Sequence, residues 1–324
     1  MTRPMQQPQY SVVIRTLGTA GDKYAALLRS IEQQTLAPEE VVVVLADGYA
    51  EPPHHTPRER IVRTRKGMVH QRQVGFEQAR SPYLLVMDDD IALPPDYAQT
   101  TLRIMQETGA DAAFSGGDER GKQHQNLRYL LLGERYLSPR KSPYYLRIGS
   151  TGGTIVNARM QPGRRYWCQT ANFQCFMMRR EAAIGTHLEE EMWLEDTGYA
   201  WPDDRVFFYK AFRKGYKTVY VPETHYTNLN AQSGHDKSQD KTYTDYYTHQ
   251  RNITIFWRKY LCNKQLPPPH NSSRSLCRIL FAYGCAMQTL LFFVKCLVRR
   301  RLTLLPRWRE PYKDAQEYLR KISS

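Results

Sequence analysis

Two short apolar runs constrain the fold of this chain more than any other feature. Residues 41–45 (VVVVL) and 82–87 (PYLLVM) are uninterrupted by charge, and an aspartate lies within two positions of the end of each. Runs of this kind are typical of strands buried on both faces. Amphipathic segments at helical spacing alternate with them, near residues 22–34, 69–79 and 94–108. The pattern predicts an α/β fold with a mostly parallel central sheet flanked by helices.

The basic charge of the chain lies at its C-terminal end. Of the formal net charge of +14, residues 251–324 carry +12, with 15 Lys and Arg against 3 Asp and Glu. This segment contains an apolar run of 16 residues, 279–294, followed by Arg299, Arg300 and Arg301. Because a membrane span needs about 20 residues, we expect a helix that lies in the interface of an anionic membrane. A core helix with a solvated basic edge is the alternative.

The cysteines and the N-terminal sequence indicate the cellular compartment of the protein. The six cysteines form no CxxC pair, and no apolar stretch follows the first basic residue. This combination indicates a reducing compartment and no signal peptide. We therefore expect a cytoplasmic protein, associated peripherally with the inner face of the cell membrane through its C-terminal segment.

An acidic cluster follows the second apolar run. Asp88, Asp89 and Asp90 come directly after residues 82–87, at the end of a strand where open α/β sheets bind ligands. Adjacent carboxylates repel one another, and a cation relieves that repulsion. Mg²⁺ prefers one or two carboxylates together with phosphate oxygens. The cluster predicts a divalent metal cofactor, Mg²⁺ or Mn²⁺; a solvated acidic turn before the next helix is the alternative.

The order of the motifs resembles family 2 glycosyltransferases, which are inverting enzymes of the GT-A fold, including bacterial members that build cell-surface polysaccharide. The resemblance covers about residues 10–260. It rests on residues 11–16 (SVVIRT), residues 30–35 (SIEQQT), the Asp47–Gly48 turn and the DxD-type cluster. It implies a GT-A domain over 1–260, with a nucleotide-binding half at about 10–115 and an acceptor half at about 116–260. Residues 261–324 are interpreted as a helical, membrane-associating extension.

The resemblance also implies a set of donor-binding residues. Arg72, in HQRQVG, matches an arginine of the family that contacts the nucleotide. The implied donor contacts are Thr16, Asp47, Arg72, Asp88 and Asp89, with Asp90 as the metal ligand. The sequence departs from the family at residues 15–18 (RTLG) and 46–49 (ADGY), where Pro-Thr-Tyr-Asn and Asp-Asp-Gly-Ser are usual. The base of the donor nucleotide is therefore not indicated.

A second acidic pair predicts the general base. Asp203 and Asp204 open the segment WPDDRVFFYKAFRKGYK, which resembles the family's Glu-Asp motif followed by a helix and a Gly-Tyr-Lys turn. The resemblance implies Asp204 as the base that takes the proton of the acceptor hydroxyl, supported by Asp203. Two alternatives stay open: the pair stabilises a helix N-terminus through its dipole, or Glu195 and Asp196 supply the base.

Two further site residues lie near the end of the GT-A region. His225 occupies a place where many GT-A enzymes put a metal-binding histidine, with His235 as the second candidate. Arg251, in the YYTHQRN segment, is predicted to neutralise the leaving diphosphate, or else to pair with a carboxylate on a helix face.

The predicted function is transfer of a sugar from a nucleotide-diphosphate sugar to a hydroxyl acceptor, a growing or lipid-linked glycan. One alternative is a sugar-nucleotide nucleotidyltransferase, for which the loop at residues 17–21 (LGTAG) is a weak phosphate-binding candidate. The other is a basic nucleic-acid-binding protein, suggested by the charge and by 22 tyrosines. Because the charge accompanies an apolar helix, lipid is favoured and no nucleic acid is expected.

Overall fold

A computed structural model describes residues 8–117, 143–156, 165–230, 241–262 and 273–322. The strands are β1 (Tyr10–Thr16), β2 (Glu40–Ala46), β3 (Glu59–Thr64), β4 (Tyr83–Asp88), β5 (Ile91–Ala92), β6 (Ala112–Gly117), β7 (Leu146–Ile148), β8 (Thr154–Val156), β9 (Tyr166–Cys168), β10 (Cys175–Arg179) and β11 (Thr218–Asn228). The helices are α1 (Asp22–Glu32), α2 (Met68–Gln78), α3 (Tyr97–Thr108), α4 (Arg180–Gly185), α5 (Asp203–Arg213), α6 (Thr242–Phe256), α7 (Arg274–Val298) and α8 (Glu310–Lys321). A 3₁₀ segment spans Leu188–Thr197, another spans Leu302–Arg309, and a π turn spans Trp257–Leu261.

The central sheet has the strand order β3-β2-β1-β4-β10-β6-β11-β5, and β9 pairs with β11. The first four strands are parallel to one another, β10 runs antiparallel between β4 and β6, and β6 and β11 are parallel. Helices cover both faces. The predicted α/β class with a mostly parallel sheet and flanking helices is confirmed.

The sheet separates two apolar cores, which explains the uninterrupted apolar runs. Tyr10, Val12 and Ile14 of β1 pack in the core that contains α1 and α3. Val13 packs on the opposite face, in the core that contains α2 and α5. Because successive strand residues point to opposite faces, each position of a doubly covered strand must be apolar.

Strand register brings the carboxyl ends of β1, β2 and β4 to one edge of the sheet. Thr16 pairs with Leu45, and Arg15 pairs with Asp88. Thr16, a predicted donor contact, and Asp88, the first aspartate of the acidic cluster, therefore lie on adjacent strands. This edge is the ligand-binding edge of open α/β sheets.

The C-terminal segment packs against the rest of the chain. Cys277 of α7 and Ala315 of α8 belong to the core that contains α2 and α5. The ring of Phe292 stacks on Tyr246 with centroids 4.1 Å apart, and Phe281 stacks on Trp257 at 4.2 Å. The boundary near residue 260 stays an interpretation, because residues on both sides of it share this core.

Helix α7 is longer than the apolar run predicted. It has 25 residues and, within the described ranges, is the one helix long and apolar enough to cross a membrane by length and composition. The 16-residue run underestimated the helix because Arg274, Arg278 and Lys295 lie within it. Its buried residues are Cys277, Leu280, Phe292 and Cys296. An outer face of α7 is exposed and apolar, formed by Leu276, Ile279, Tyr283, Leu290, Val294 and Leu297.

Candidate active site

An arginine of α2 joins the two predicted acidic motifs. Arg72 lies 3.6 Å from Asp88 at the end of β4 and forms a hydrogen-bonded ion pair with Asp203 at the start of α5. Its side chain is only 3% exposed. Arg15, at the end of β1, lies 3.0 Å from the same carboxylate oxygen of Asp88. The structure thus brings Arg72, Asp88 and Asp203 together, at the ligand-binding edge of the sheet.

Close packing of α2 on β1 positions the guanidinium of Arg72. A Cβ at Gly75 would lie 2.4 Å from Val13, so only glycine lets α2 approach the sheet this closely. The guanidinium carbon lies 3.9 Å from the ring centroid of Phe173, which forms a flat support for it. In the HQRQVG motif, the glycine therefore allows the close packing that positions the arginine.

The turn after β1 fixes Asp89. Thr16 donates a hydrogen bond of 2.6 Å to Asp89 and accepts one of 2.8 Å from the backbone of Gly18. A Cβ at Gly18 would lie 2.2 Å from the carbonyl oxygen of Ala50, and its φ is +72°, so the turn requires glycine. Burial, together with neighbouring Asp88, raises the pKa of Asp89 to about 6 against the opposing hydrogen bond from Thr16. Two predicted donor residues, Thr16 and Asp89, are thus in direct contact.

The remaining predicted donor and metal residues are more dispersed. Asp47 is exposed in the turn after β2, at the same edge of the sheet. The carbonyl of Asp90 accepts a 2.8 Å hydrogen bond from the backbone N–H of Leu229, which follows the last residue of β11 and lies four residues beyond His225. At about 3.3 Å per residue this separates His225 from Asp90 by roughly 13 Å along the strand. His225 as a metal ligand therefore stays a prediction.

A metal ion could instead be held by another cluster of metal-binding side chains. Among the described residues, no group of three or more His, Cys, Asp or Glu side chains is placed to hold a metal ion. The second candidate, His235, falls outside the described residues. Mg²⁺ in proteins is usually held by one or two carboxylates together with phosphate oxygens and water.

Asp204 has the properties of a proton acceptor near neutral pH. It lies in the first turn of α5, is half-buried, and accepts a 2.7 Å hydrogen bond from the backbone of Arg205. Burial, with the adjacent charge of Asp203 as the second cause, raises the pKa of Asp204 to about 6. A carboxylate with such a pKa is well matched to general-base chemistry.

The rival pair Glu195–Asp196 has structural partners. Glu195 accepts hydrogen bonds of 2.7 Å from the backbone N–H groups of Val69 and His70. It therefore caps the N-terminus of α2 from a distant part of the chain. Asp196 pairs with Arg251 at 2.6 Å. These contacts favour Asp203 and Asp204 as the catalytic pair.

Arg251 lies in an ion-pair network of the helices. Besides Asp196, its guanidinium contacts Asp314 of α8 at 2.7 Å and the carbonyl of Trp193 at 2.9 Å. The side chain is 3% exposed. All three guanidinium nitrogens thus have protein partners, which favours the helix-face ion pair over the predicted contact with the leaving diphosphate.

Sequence reasoning missed two residues of the site, Arg15 and Phe173. Arg15 stands where the family usually has proline, and the carboxylates of Asp88, Asp203 and Asp89 outweigh burial and raise the pKa of its guanidinium. A charged residue at the end of an otherwise apolar strand was the available signal. Phe173 gave none, because its contact with Arg72 depends on how the loop before β10 packs.

The fold and the site together define an α/β protein with acidic and basic side chains gathered at the carboxyl ends of parallel strands, the edge where open α/β sheets bind ligands. The chain belongs to glycosyl transferase family 2, whose model matches residues 11–216. The predicted family is confirmed. Membership supports a glycosyl transfer role over the nucleotidyltransferase and nucleic-acid-binding alternatives.

Solved structures of similar fold are distant in sequence. S. aureus TarS 1-349 shares 13% identity, with a TM-score of 0.56, over 95% of this chain and 80% of that one. GalNAc-T7 with UDP, GalNAc and Mn²⁺ shares 13% at a TM-score of 0.52, over 86% of this chain and 55% of that one. The mannosyltransferase PcManGT from Pyrobaculum calidifontis, in complex with GDP-Man and Mn²⁺, shares 13% at 0.53, over 96% and 85%. No curated protein sequence matches the chain significantly. These likenesses support the GT-A fold.

Proposed function

We propose that the protein is an inverting glycosyltransferase that moves a sugar from a nucleotide-diphosphate sugar to a hydroxyl acceptor, with Asp204 as general base. The contact of Arg72 with both Asp88 and Asp203 carries this proposal. It joins the strand end expected to bind the donor to the helix start expected to supply the base. A donor bound at the first motif would thus lie near the start of the helix that carries the base.

The donor side is built from the ends of β1 and β4. Arg15 has a buried Nε with no hydrogen-bond partner among the described residues, which makes it a suitable donor to a diphosphate oxygen. Thr16, Asp47, Asp88 and Asp89 remain the predicted contacts to the nucleotide. Nucleotide-sugar binding is also consistent with TarS, which was solved in complex with UDP-GlcNAc, and with PcManGT in complex with GDP-Man.

A divalent cation fits the donor atoms of the acidic cluster. Carboxylate oxygens are the ligands that Mg²⁺ and Mn²⁺ accept, and one or two suffice when a phosphate supplies others. We assign the metal contact to Asp90, as the resemblance of the acidic cluster to a DxD-type motif implies; Asp88 contacts Arg15, and Asp89 accepts a hydrogen bond from Thr16. When bound, such a cation neutralises charge on the leaving diphosphate. Two of the similar structures, GalNAc-T7 and PcManGT, contain Mn²⁺.

The proposed reaction is a single displacement. The acceptor oxygen attacks the anomeric carbon, and the bond between that carbon and the diphosphate oxygen breaks on the opposite face. The proton of the acceptor hydroxyl passes to the carboxylate of Asp204, and the nucleoside diphosphate leaves. Asp203 holds Arg72 and keeps a second negative charge beside Asp204, which favours protonation of Asp204 as the acceptor reacts.

We further propose that the enzyme works on the cytoplasmic face of a membrane. The exposed apolar outer face of α7 is followed by Arg299, Arg300 and Arg301, which are also exposed. Apolar side chains beside a cluster of arginines suit an interface of anionic lipid. Because other residues of α7 are buried against α6, an interfacial position agrees with the packing better than a span does.

The decisive experiment replaces Asp204 by asparagine, which keeps the size of the side chain and removes the base. We expect transfer to fall by about 10²- to 10⁴-fold, the usual contribution of a general base. The affinity for the nucleotide sugar should stay unchanged, as measured by calorimetry. Glu195→Gln serves as the control from the rival pair and should retain transfer. Equal loss of donor affinity and of transfer in Asp204→Asn would assign Asp204 to donor binding instead.

A further inference from the structure

A cavity of about 560 Å³ lies between α6 and α7. Arg205, the residue after Asp204, and Tyr199 contribute to its wall. Partial burial, together with the carboxylates of Asp203 and Asp204, raises the pKa of Tyr199. The cavity therefore opens next to the catalytic pair. Its volume lies within the range of about 300–1,000 Å³ that is usual for small-molecule sites.

The wall nearest the catalytic pair is polar and incompletely hydrogen-bonded. Gln250 of α6 is fully buried, and neither its amide nitrogen nor its amide oxygen has a partner among the described residues. The buried hydroxyl of Thr248 likewise has no hydrogen-bond partner among the described residues. Buried polar atoms in folded proteins are nearly always hydrogen-bonded, so these groups indicate a polar ligand. Beside them the rings of Trp201 and His249 stack at 4.4 Å, giving the wall a flat surface.

The opposite wall is apolar and reaches the protein surface. It is formed by Phe281, Leu291, Phe292 and Val294 of α7. Val294 is 47% exposed and also belongs to the outer face of α7. The apolar lining of the cavity is therefore continuous with the surface proposed to contact the membrane.

Basic side chains lie where the cavity meets the protein surface. Lys295 lines the cavity and forms no ion pair within the described part of the chain, and Arg299 and Arg300 follow about one turn later. Among the described lining residues Asp245 is the one carboxylate, against the two cations Arg205 and Lys295. This balance favours an anionic group at the mouth of the cavity.

We propose that this cavity is the acceptor site and that its occupant is a lipid-linked acceptor with a phosphate between lipid and sugar. The lipid chain lies along α7, the phosphate meets Lys295, and the sugar contacts Gln250 with a hydroxyl directed to Asp204. The acceptor reaches the cavity from the membrane, along the outer face of α7. This assignment rests on the proposed role of Asp204 as the base.

The test measures binding of farnesyl phosphate to the full-length protein below its micelle concentration. Inorganic phosphate and farnesol serve as probes of the head group alone and of the tail alone. We expect farnesyl phosphate to bind at least about ten-fold more tightly than either, because both ends contribute. Leu291→Trp fills the apolar wall and should weaken binding by about ten-fold or more. Ile322→Trp adds the same ring at an exposed position away from the cavity and should leave binding unchanged.

A charge variant separates the head-group contact from the tail contact. Lys295→Glu should weaken the binding of farnesyl phosphate by about ten-fold and leave the binding of farnesol unchanged. Unchanged binding in both Leu291→Trp and Lys295→Glu would overturn the proposal, and so would phosphate binding as tightly as farnesyl phosphate. Nucleotide-sugar affinity is measured on the same samples. If the wild type binds farnesyl phosphate but no nucleotide sugar, the cavity is a lipid-phosphate site, but the proposed function and the acceptor role are both wrong. If it binds the nucleotide sugar but not farnesyl phosphate, only the acceptor proposal is wrong.

Discussion

Arg72 of α2 and Asp203 of α5 form a buried ion pair although 131 positions separate them in the chain. The pair connects the end of the parallel strands to the helix that carries Asp204. Through Asp88 it also reaches the acidic cluster after β4. The two halves of the site are therefore held in one arrangement by a single side chain.

Replacing Arg72 by methionine should destabilise the protein strongly. Removing one partner of a buried ion pair leaves an uncompensated charge and costs about 3–5 kcal/mol. Arg72→Lys keeps the charge but loses the second hydrogen-bonding arm and the flat contact with Phe173, so we expect a smaller loss. Urea denaturation measures both. Arg80→Met, an exposed arginine just beyond α2, is the control and should change stability by no more than about 0.5 kcal/mol.

The pH dependence of transfer should report Asp204. A general base acts when deprotonated, and burial and Asp203 raise the pKa of Asp204 to about 6. The turnover number should therefore be constant above about pH 7 and fall about ten-fold per pH unit well below 6. Arg72 and Arg205 also act on this carboxylate and lower its pKa. A profile that stays flat down to pH 4.5 would contradict the assignment of the base.

Glu195 should matter for stability and not for chemistry. Its carboxylate caps α2 through the backbone of Val69 and His70, so Glu195→Ala removes a cap and an anion from a helix N-terminus. We expect a loss of about 1–2 kcal/mol in the free energy of unfolding. The turnover number should stay within about two-fold, a change of less than about 0.5 kcal/mol in the activation free energy. A loss of activity comparable to that of Asp204→Asn would return the base to the Glu195–Asp196 pair.

Membrane binding should depend on the outer face of α7. The double variant Ile279→Glu and Leu297→Glu places two carboxylates among exposed apolar residues. Sedimentation with phosphatidylglycerol vesicles should fall by about ten-fold, because apolar contact and attraction to anionic lipid are both lost. Ile322→Glu, at an exposed position on the last turn, is the matched control. Truncation of the C-terminal helices is a poorer test, since Cys277 and Ala315 are part of the main core.

Much of the structure of residues 10–115 was predictable because the strands there are short and several are buried on both faces. Residues 41–45 and 82–87 were predicted as strands, and β2 and β4 span Glu40–Ala46 and Tyr83–Asp88. Local composition sufficed there. The apolar spacing of residues 203–214 after an acidic start predicts a helix, and α5 spans Asp203–Arg213, because both signals lie within one short segment.

Features that depend on distant contacts were not predictable. The local pattern of residues 217–221 (KTVYV) predicts a short strand, yet β11 continues to Asn228 because its second half pairs with the distant strands β6 and β5. The antiparallel position of β10 between two strands of the sheet has no local signal. Nor does the support of Arg72 by Phe173, since 101 residues separate the two in sequence and only the folded chain brings them together.

In the proposed function, the carboxyl ends of β1 and β4 bind a nucleotide-diphosphate sugar together with a cation. Calorimetric titration of UDP-, GDP- and dTDP-sugars, with Mn²⁺ or Mg²⁺ and with a chelator, tests it most directly. We expect binding of at least one donor, weakened about ten-fold or more by the chelator and by Asp90→Asn, and unchanged in Asp204→Asn. Binding of no donor, or binding that is indifferent to both the metal and Asp90, would contradict it.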